Sequence, residues 1–184
     1  MVKEIQPDTA QTSPSHAALV GSICHRVLEE WDFHGTSQEL QRMVESVVKW
    51  SVNFEMTREE SSAQFQNMEY IKTEAVKILS VFMNSEAYKE LQIAEILGRE
   101  VFILLHWNGQ IMRGSIDILY KIGDRIIIAD YKTDYVATTG LPAKEEEYAY
   151  QKTVYVEAAR RCLKIDNPEF KLIFLRAGKA VTIS

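Results

Sequence analysis

Two stretches concentrate side chains able to act on a substrate: Gly114-Ser115-Ile116-Asp117, and Ile126-Ile127-Ile128-Ala129-Asp130-Tyr131-Lys132-Thr133. An apolar run ending in Asp-Tyr-Lys reads as a buried strand that delivers charge at its tip. Side chains alternate along a strand, so Asp130 and Lys132 emerge on one face. Gly123-Asp124 is a two-residue hairpin signal; with that loop, Asp117 and Asp130 are equidistant from the turn and lie opposite one another. Asn108-Gly109 is a second such signal and sets Glu100 opposite Asp117. The expected arrangement is a row of Glu100, Asp117 and Asp130 across three strands, with Lys132 just beyond. A one-residue slip in either hairpin would flip the faces.

Opposed carboxylates repel on a sheet, and burial sharpens the conflict by raising a pKa. A hard divalent cation resolves it, because Mg²⁺ takes oxygen ligands and often sits on one or two carboxylates plus a phosphate. That chemistry suits phosphodiester hydrolysis. Metal at Asp117 and Asp130 would polarise a non-bridging oxygen and help activate water, while Lys132 would orient the water or neutralise charge developing at phosphorus. The plainer alternative is a structural ion pair at a strand end. Glu100 is a ligand through water, a residue behind the ligands, or part of a surface ion pair. Arg113 is a candidate for phosphate contact, whereas Lys144 and Lys152 read as solvated helix charges.

The surrounding elements follow from periodicity. From Ala17, Val20, Ile23, Cys24, Val27, Leu28 and Trp31 recur at three- and four-residue steps and predict a helix with one apolar stripe. A second helix is expected over Ser37 to Ser51, with Leu40, Val44, Val47 and Val48 inward. A third is opened by the capping-box spacing of Thr57 and Glu60 and reaches Met83, and a short one spans Ser85 to Leu91. Strands are expected over Glu100 to Trp107, Ile111 to Tyr120 and Arg125 to Lys132, then a helix over Ala143 to Leu163, a strand over Phe170 to Arg176 and the start of another at Val181 to Ile183. The sum is one mixed α/β domain over residues 19–184, with residues 1–18 as a flexible tail or linker remnant.

At 184 residues the chain can bury one proper core. No apolar run approaches the roughly 20 residues of a membrane helix, and the polar start lacks the order of a signal peptide, so the expected setting is cytoplasmic, with no membrane partner. Cys24 and Cys162 form no disulfide framework, and both fall in apolar helical patterns that predict buried thiols. The net charge of −5 sits poorly with binding a polyanion, which draws on Lys and Arg. Either a basic track forms in three dimensions or another domain or protein supplies it.

Taken together, Gly114-x-x-Asp117, Asp130-Tyr131-Lys132-Thr133 and Tyr148-x-x-Gln151-x-x-x-Tyr155 resemble the RecB-type branch of the PD-(D/E)XK nucleases, in particular the nuclease domain at the C-terminal end of AddA- and RecB-like helicase–nucleases. Gly21-Ser-Ile-Cys-His25-Arg-Val-Leu-Glu29 resembles that branch's first-helix motif, and Phe174-Leu-Arg176-x-Gly178 its late strand. The resemblance implies a restriction-endonuclease-like core: a central mixed sheet flanked by helices, with residues 37 to 91 as a helical insert. It implies His25, Asp117, Asp130 and the Tyr131 carbonyl as metal ligands, and Lys132 as the catalytic lysine. Gln151 and Tyr155 would orient the site and contact nucleic acid.

The residues by themselves leave alternatives. His25 lies at the edge of its helix's apolar stripe and by itself reads as a packing or hydrogen-bonding residue before a ligand, and imidazole suits Mn²⁺ better than Mg²⁺. Tyr148, Gln151 and Tyr155 share a helix face and would pack on the sheet, or Tyr148 and Tyr155 would offer stacking surfaces to unpaired bases. Two cysteines cannot hold the four-cysteine iron–sulfur cluster of related exonucleases. No Gly-x-x-x-x-Gly-Lys-Ser/Thr loop is present, so a helicase motor must come from elsewhere in a longer chain or from a partner. The resemblance therefore implies a metal-dependent DNA nuclease, an exonuclease on single strands delivered by a helicase during double-strand-break repair and recombination. The rivals are a non-catalytic DNA-binding or scaffolding domain that kept the fold, and a stand-alone nuclease for RNA or structured DNA.

Overall fold

A computed structural model describes residues 16–55, 62–107, 109–134 and 141–183. The expectations for residues 1–15, the Thr57–Glu60 capping box, Asn108 and the Lys144 side chain lie outside the described residues. In chain order the elements are α1 (His16–Glu30), α2 (Ser37–Glu55), α3 (Ser62–Met83), α4 (Glu86–Ile93), β1 (Glu95–Trp107), β2 (Gln110–Ile122), β3 (Arg125–Lys132), α5 (Leu141–Ala158) with a π turn (Ala159–Leu163), β4 (Glu169–Phe174) and β5 (Lys179–Thr182). α1 starts inside the segment assigned to the tail. β1 starts five residues before the expected Glu100, because its early half carries polar and glycine residues that hide it from a β-propensity reading.

The sheet is mixed, ordered β1-β2-β3-β4-β5. β3 and β4 are parallel, which demands a crossover, and α5 provides it. Both faces are covered. On one side α1 to α4 bury Ile23, Leu28, Val44, Ile78 and Phe82 against Ile118, Tyr120, Ile127, Ala129, Tyr131 and Ile173. On the other, α5 packs Tyr148, Val154, Tyr155 and Ala158 on Ile103, Ile116, Leu119, Ile128, Phe170 and Leu172. Coverage of both faces is why Ile126 to Ala129 is apolar throughout. Fully burying one such large side chain stabilises by about 1.5–3 kcal/mol.

Local chemistry sets several boundaries. Thr36 and Glu39 form a reciprocal capping box at the start of α2: the Thr36 N–H donates to Glu39 Oε2 at 2.7 Å, and the Glu39 N–H to Thr36 Oγ1 at 3.3 Å. Ser85 caps α4 by accepting from the Tyr88 N–H. α5 ends in the π turn, whose wider winding shifts later residues off the α-helical stripe. Cys162 is exposed for that reason, against the expectation of a buried thiol; Cys24 is buried as expected.

Both hairpin registers are as the turns dictate: Ile118 faces Ala129, and Val101 faces Ile116. The β1–β2 ribbon, however, inverts its faces midway. Arg99 reaches back to the α1 end, donating to the carbonyls of Leu28, Glu29 and Trp31, whereas Val101 packs on the α5 side. Across from them Ile118 belongs to the helical-layer core and Ile116 to the α5 core. The inversion falls at Glu100, which adopts φ 45°. A non-glycine residue there carries strain of order 1–3 kcal/mol.

Candidate active site

The inversion at Glu100 is where the charged side chains gather. α1 brings in His25, whose Nδ1 lies 3.5 Å from Asp117 Oδ1. The other Asp117 oxygen accepts the Tyr131 N–H at 2.6 Å, so one carboxylate ties β2 to the tip of β3. Glu100 completes the group: single ligand atoms of His25, Glu100 and Asp117 all lie within 4.8 Å of one another. The Ser115 hydroxyl donates to Glu100 Oε2 at 2.8 Å, and Ser115's carbonyl is held by the Tyr155 hydroxyl at 2.8 Å.

Asp130 is buried beside this trio and is not one of the three. Its Oδ1 accepts from Gln151 Nε2 at 2.5 Å, and its Oδ2 lies 2.7 Å from Lys132 Nζ. The Lys132 ammonium also donates to Gln151 Oε1 at 3.1 Å and sits over the Tyr148 ring. The buried Asp130 Oδ2 thus has the Lys132 ammonium as its ion-pair partner. The even row expected across three strands is thus divided: Glu100 and Asp117 meet His25, while Asp130 faces α5. The cause is the ribbon inversion, which simple alternation does not anticipate.

Gln151 ties Asp130 to Lys132, an orienting position. Tyr148 and Tyr155 are both buried, at 5% and 2% exposure. Of the two readings, packing on the sheet is the one observed, and not stacking surfaces for bases: α5 uses these rings against Phe174 and Phe170. Three contacts near the site were not legible in the sequence, although their residues fall inside its motifs. Ser115 is hidden inside the Gly-x-x-Asp motif. Gly21 lets α1 approach β3 so closely that a Cβ there would meet Thr133 Oγ1 at 2.9 Å. Arg176 donates to the Thr133 carbonyl at 2.7 Å and to Glu74 Oε2 at 3.1 Å, holding the chain just past Lys132.

The electrostatics describe a site short of positive charge. Burial holds the Asp130 carboxyl above its ordinary range and the Asp117 charge adds to that, with Lys132 opposing. Burial likewise raises Glu100; the Ser115 hydrogen bond opposes this and the Asp117 charge reinforces it. Burial pulls the His25 imidazole down, but the hydrogen bond and charge of Asp117, with Asp130 and Glu100 behind it, outweigh burial and leave its pKa raised. Two carboxylates and an imidazole, with the Asp130 carboxylate nearby, make a donor set that fits a divalent cation: hard oxygens suit Mg²⁺, and the nitrogen suits Mn²⁺. Lys132 supplies a cation on the α5 side of this group.

Comparison with known families matches residues 2–181 to the PD-(D/E)XK nuclease superfamily. Among curated proteins, the chain is 25% identical over 158 residues to an ATP-dependent helicase/nuclease subunit from Alkaliphilus oremlandii (strain OhILAs). That match covers 79% of this chain and 12% of the relative, so the chain spans a small fraction of the longer protein.

Proposed function

Since the chain belongs to the PD-(D/E)XK nuclease superfamily, we propose that it hydrolyses DNA phosphodiester bonds with magnesium, which manganese replaces. The observation that carries this reading is the convergence of His25, Glu100 and Asp117 donor atoms within 4.8 Å, next to the Asp130–Lys132 pair. His25, Glu100 and Asp117 would hold the ion. Asp130, and the Tyr131 backbone carbonyl, would complete its shell. When bound, the metal supplies Lewis acidity toward a phosphate oxygen and lowers the pKa of a water.

The protein's own groups do the remaining work. Lys132, fixed by Asp130 and Gln151, places an ammonium where negative charge grows at phosphorus or on the departing 3′ oxygen. Gln151, bonded to both the amine and Asp130, holds the pair in one arrangement. Asp117 fixes the tip of β3 through the Tyr131 N–H, so Lys132 and the donors keep one geometry.

We further infer that the substrate is single-stranded DNA cut exonucleolytically, and that residues 19–184 are the nuclease module of a helicase–nuclease acting in double-strand-break repair. The relative's name pairs a helicase with a nuclease, and the net charge of −5 leaves a motor in the same or a partner chain to supply positive charge. No described helix is long and apolar enough to cross a membrane; the proposed setting is the cytoplasm.

The test is release of nucleotides from end-labelled single-stranded DNA in magnesium or manganese. Lys132→Ala is expected to lower kcat by roughly 10²–10³, the cost of removing one preorganised charge-stabilising donor. Equal activity in both proteins would remove the catalytic assignment.

A further inference from the structure

Beyond the inversion at Glu100, the β1–β2 ribbon extends past the rest of the sheet: β2 pairs with β3 only from Ile118 to Ile122, so Val101 to Trp107 and Gln110 to Ile116 pair only with each other. One face of this ribbon is covered by α5 through Ile103, Leu105 and Met112. The opposite face carries Phe102, Leu104 and His106 from β1, paired with Ser115, Arg113 and Ile111 of β2. Phe102, Leu104 and Ile111 are 68%, 53% and 64% exposed. A large aromatic ring and two aliphatic side chains left in water on a two-stranded ribbon oppose stability, so a use for them is indicated.

We propose that this face is a platform on which unpaired bases of a single-stranded DNA stack as the strand leads into the metal-binding cluster. Continuity with the site carries the proposal. Phe102 lies directly across from Ser115, and the Ser115 hydroxyl holds the Glu100 carboxylate, so the platform begins one hydrogen bond from a cluster ligand. Composition agrees. The six side chains include no acid, although the chain as a whole is acidic. Arg113, beside Leu104 and one pair from Phe102, has no carboxylate partner among the described residues and would meet a phosphate. An aromatic face with a guanidinium beside it is what a sequence-tolerant single-strand surface needs, because every base offers a π-face and every linkage a charge. A protein partner would use the apolar groups but has no need of proximity to the cluster.

The inference rests on the reading that the site acts on DNA, and the experiment separates the two. The 184-residue chain is titrated, on a Lys132→Ala background in magnesium, with an oligothymidylate carrying a single aminopurine, whose fluorescence falls on stacking. Cleavage by the otherwise unaltered chain is measured in parallel. Binding should quench the aminopurine. Phe102→Ala should abolish quenching and raise Kd and KM about tenfold with kcat within about twofold, whereas Phe102→Trp should retain both; Arg113→Gln should weaken binding and flatten its salt dependence. All these positions are exposed, so the fold survives their loss, which thermal melting checks. Unchanged quenching and KM in Phe102→Ala, or no quenching by the parent at saturating protein, overturns the platform. Cleavage that persists with Phe102-independent binding leaves the nuclease and removes the platform; Phe102-dependent quenching with no cleavage does the reverse.

Discussion

His25 is the residue whose protonation the site most directly controls. Its imidazole is held above its ordinary pKa by Asp117, despite burial. Without metal, the ion pair's contribution to stability is therefore complete below the ordinary value of 6.5 and is lost as pH rises through the higher folded value. A metal ligand must be the neutral imidazole, so a cation competes with that proton. Manganese affinity should climb by up to roughly tenfold per pH unit until pH passes the raised folded value of His25, with proton release on binding. Calorimetry in buffers of different ionisation enthalpy reads the proton directly. His25→Gln should lower the affinity and flatten the dependence; a pH-independent affinity in the parent would remove His25 from the ligand set. Glu100 holds a left-handed backbone at the point where its carboxylate meets His25 and Asp117.

Between elements, the decisive contact is α1 against the tip of β3. Gly21 costs α1 about 1 kcal/mol of helix propensity relative to alanine, yet a Cβ there, on the helix that brings His25 to Asp117, would press on the Thr133 hydroxyl. Gly21→Ala should therefore hold or raise the melting temperature while lowering activity about tenfold, since small displacements of positioned groups are expensive in rate. Thr133→Ala in the same chain should recover much of the loss, a coupling that a double-mutant cycle measures. No coupling would mean that the helix sits where it does for other reasons. Arg176 works on the same tip from the far side, bracing the Thr133 carbonyl against Glu74 of α3.

Across the whole molecule, the helical layer is fastened to the sheet at the end away from the site. Glu90 of α4 receives the Lys171 ammonium at 2.5 Å and the Tyr120 hydroxyl at 2.7 Å, joining α4 to β4 and β2. Burial raises the Glu90 carboxyl, but these two donors outweigh it and leave the pKa lowered. The sign follows: the contribution is complete above the unfolded value of 4.5 and fades as pH falls through the lower folded value. Glu90→Gln should lower the melting temperature by a few degrees at neutral pH and by progressively less in acid below 4.5. A constant difference across that range would show that packing, not charge, is what the substitution removes.

Sequence alone determined whatever depends on neighbours along the chain. The turn pairs fix both hairpin registers and so carry Asp117 and Asp130 to neighbouring strands, one residue past the ladder pair of Ile118 with Ala129. The apolar run before Asp130 announced a strand covered on both faces, and the Gly-x-x-Asp, Asp-Tyr-Lys and Tyr-x-x-Gln motifs pointed to the superfamily. Only tertiary structure decided that Glu100 joins His25 and Asp117 while Asp130 turns to Gln151, because a face inversion is a property of a coiled ribbon and leaves no mark in residue alternation. It likewise decided that Tyr148 and Tyr155 are buried, leaving Phe102 as an exposed ring beside the cluster. Which side of an amphipathic element is covered depends on where other elements end, and no local pattern encodes that.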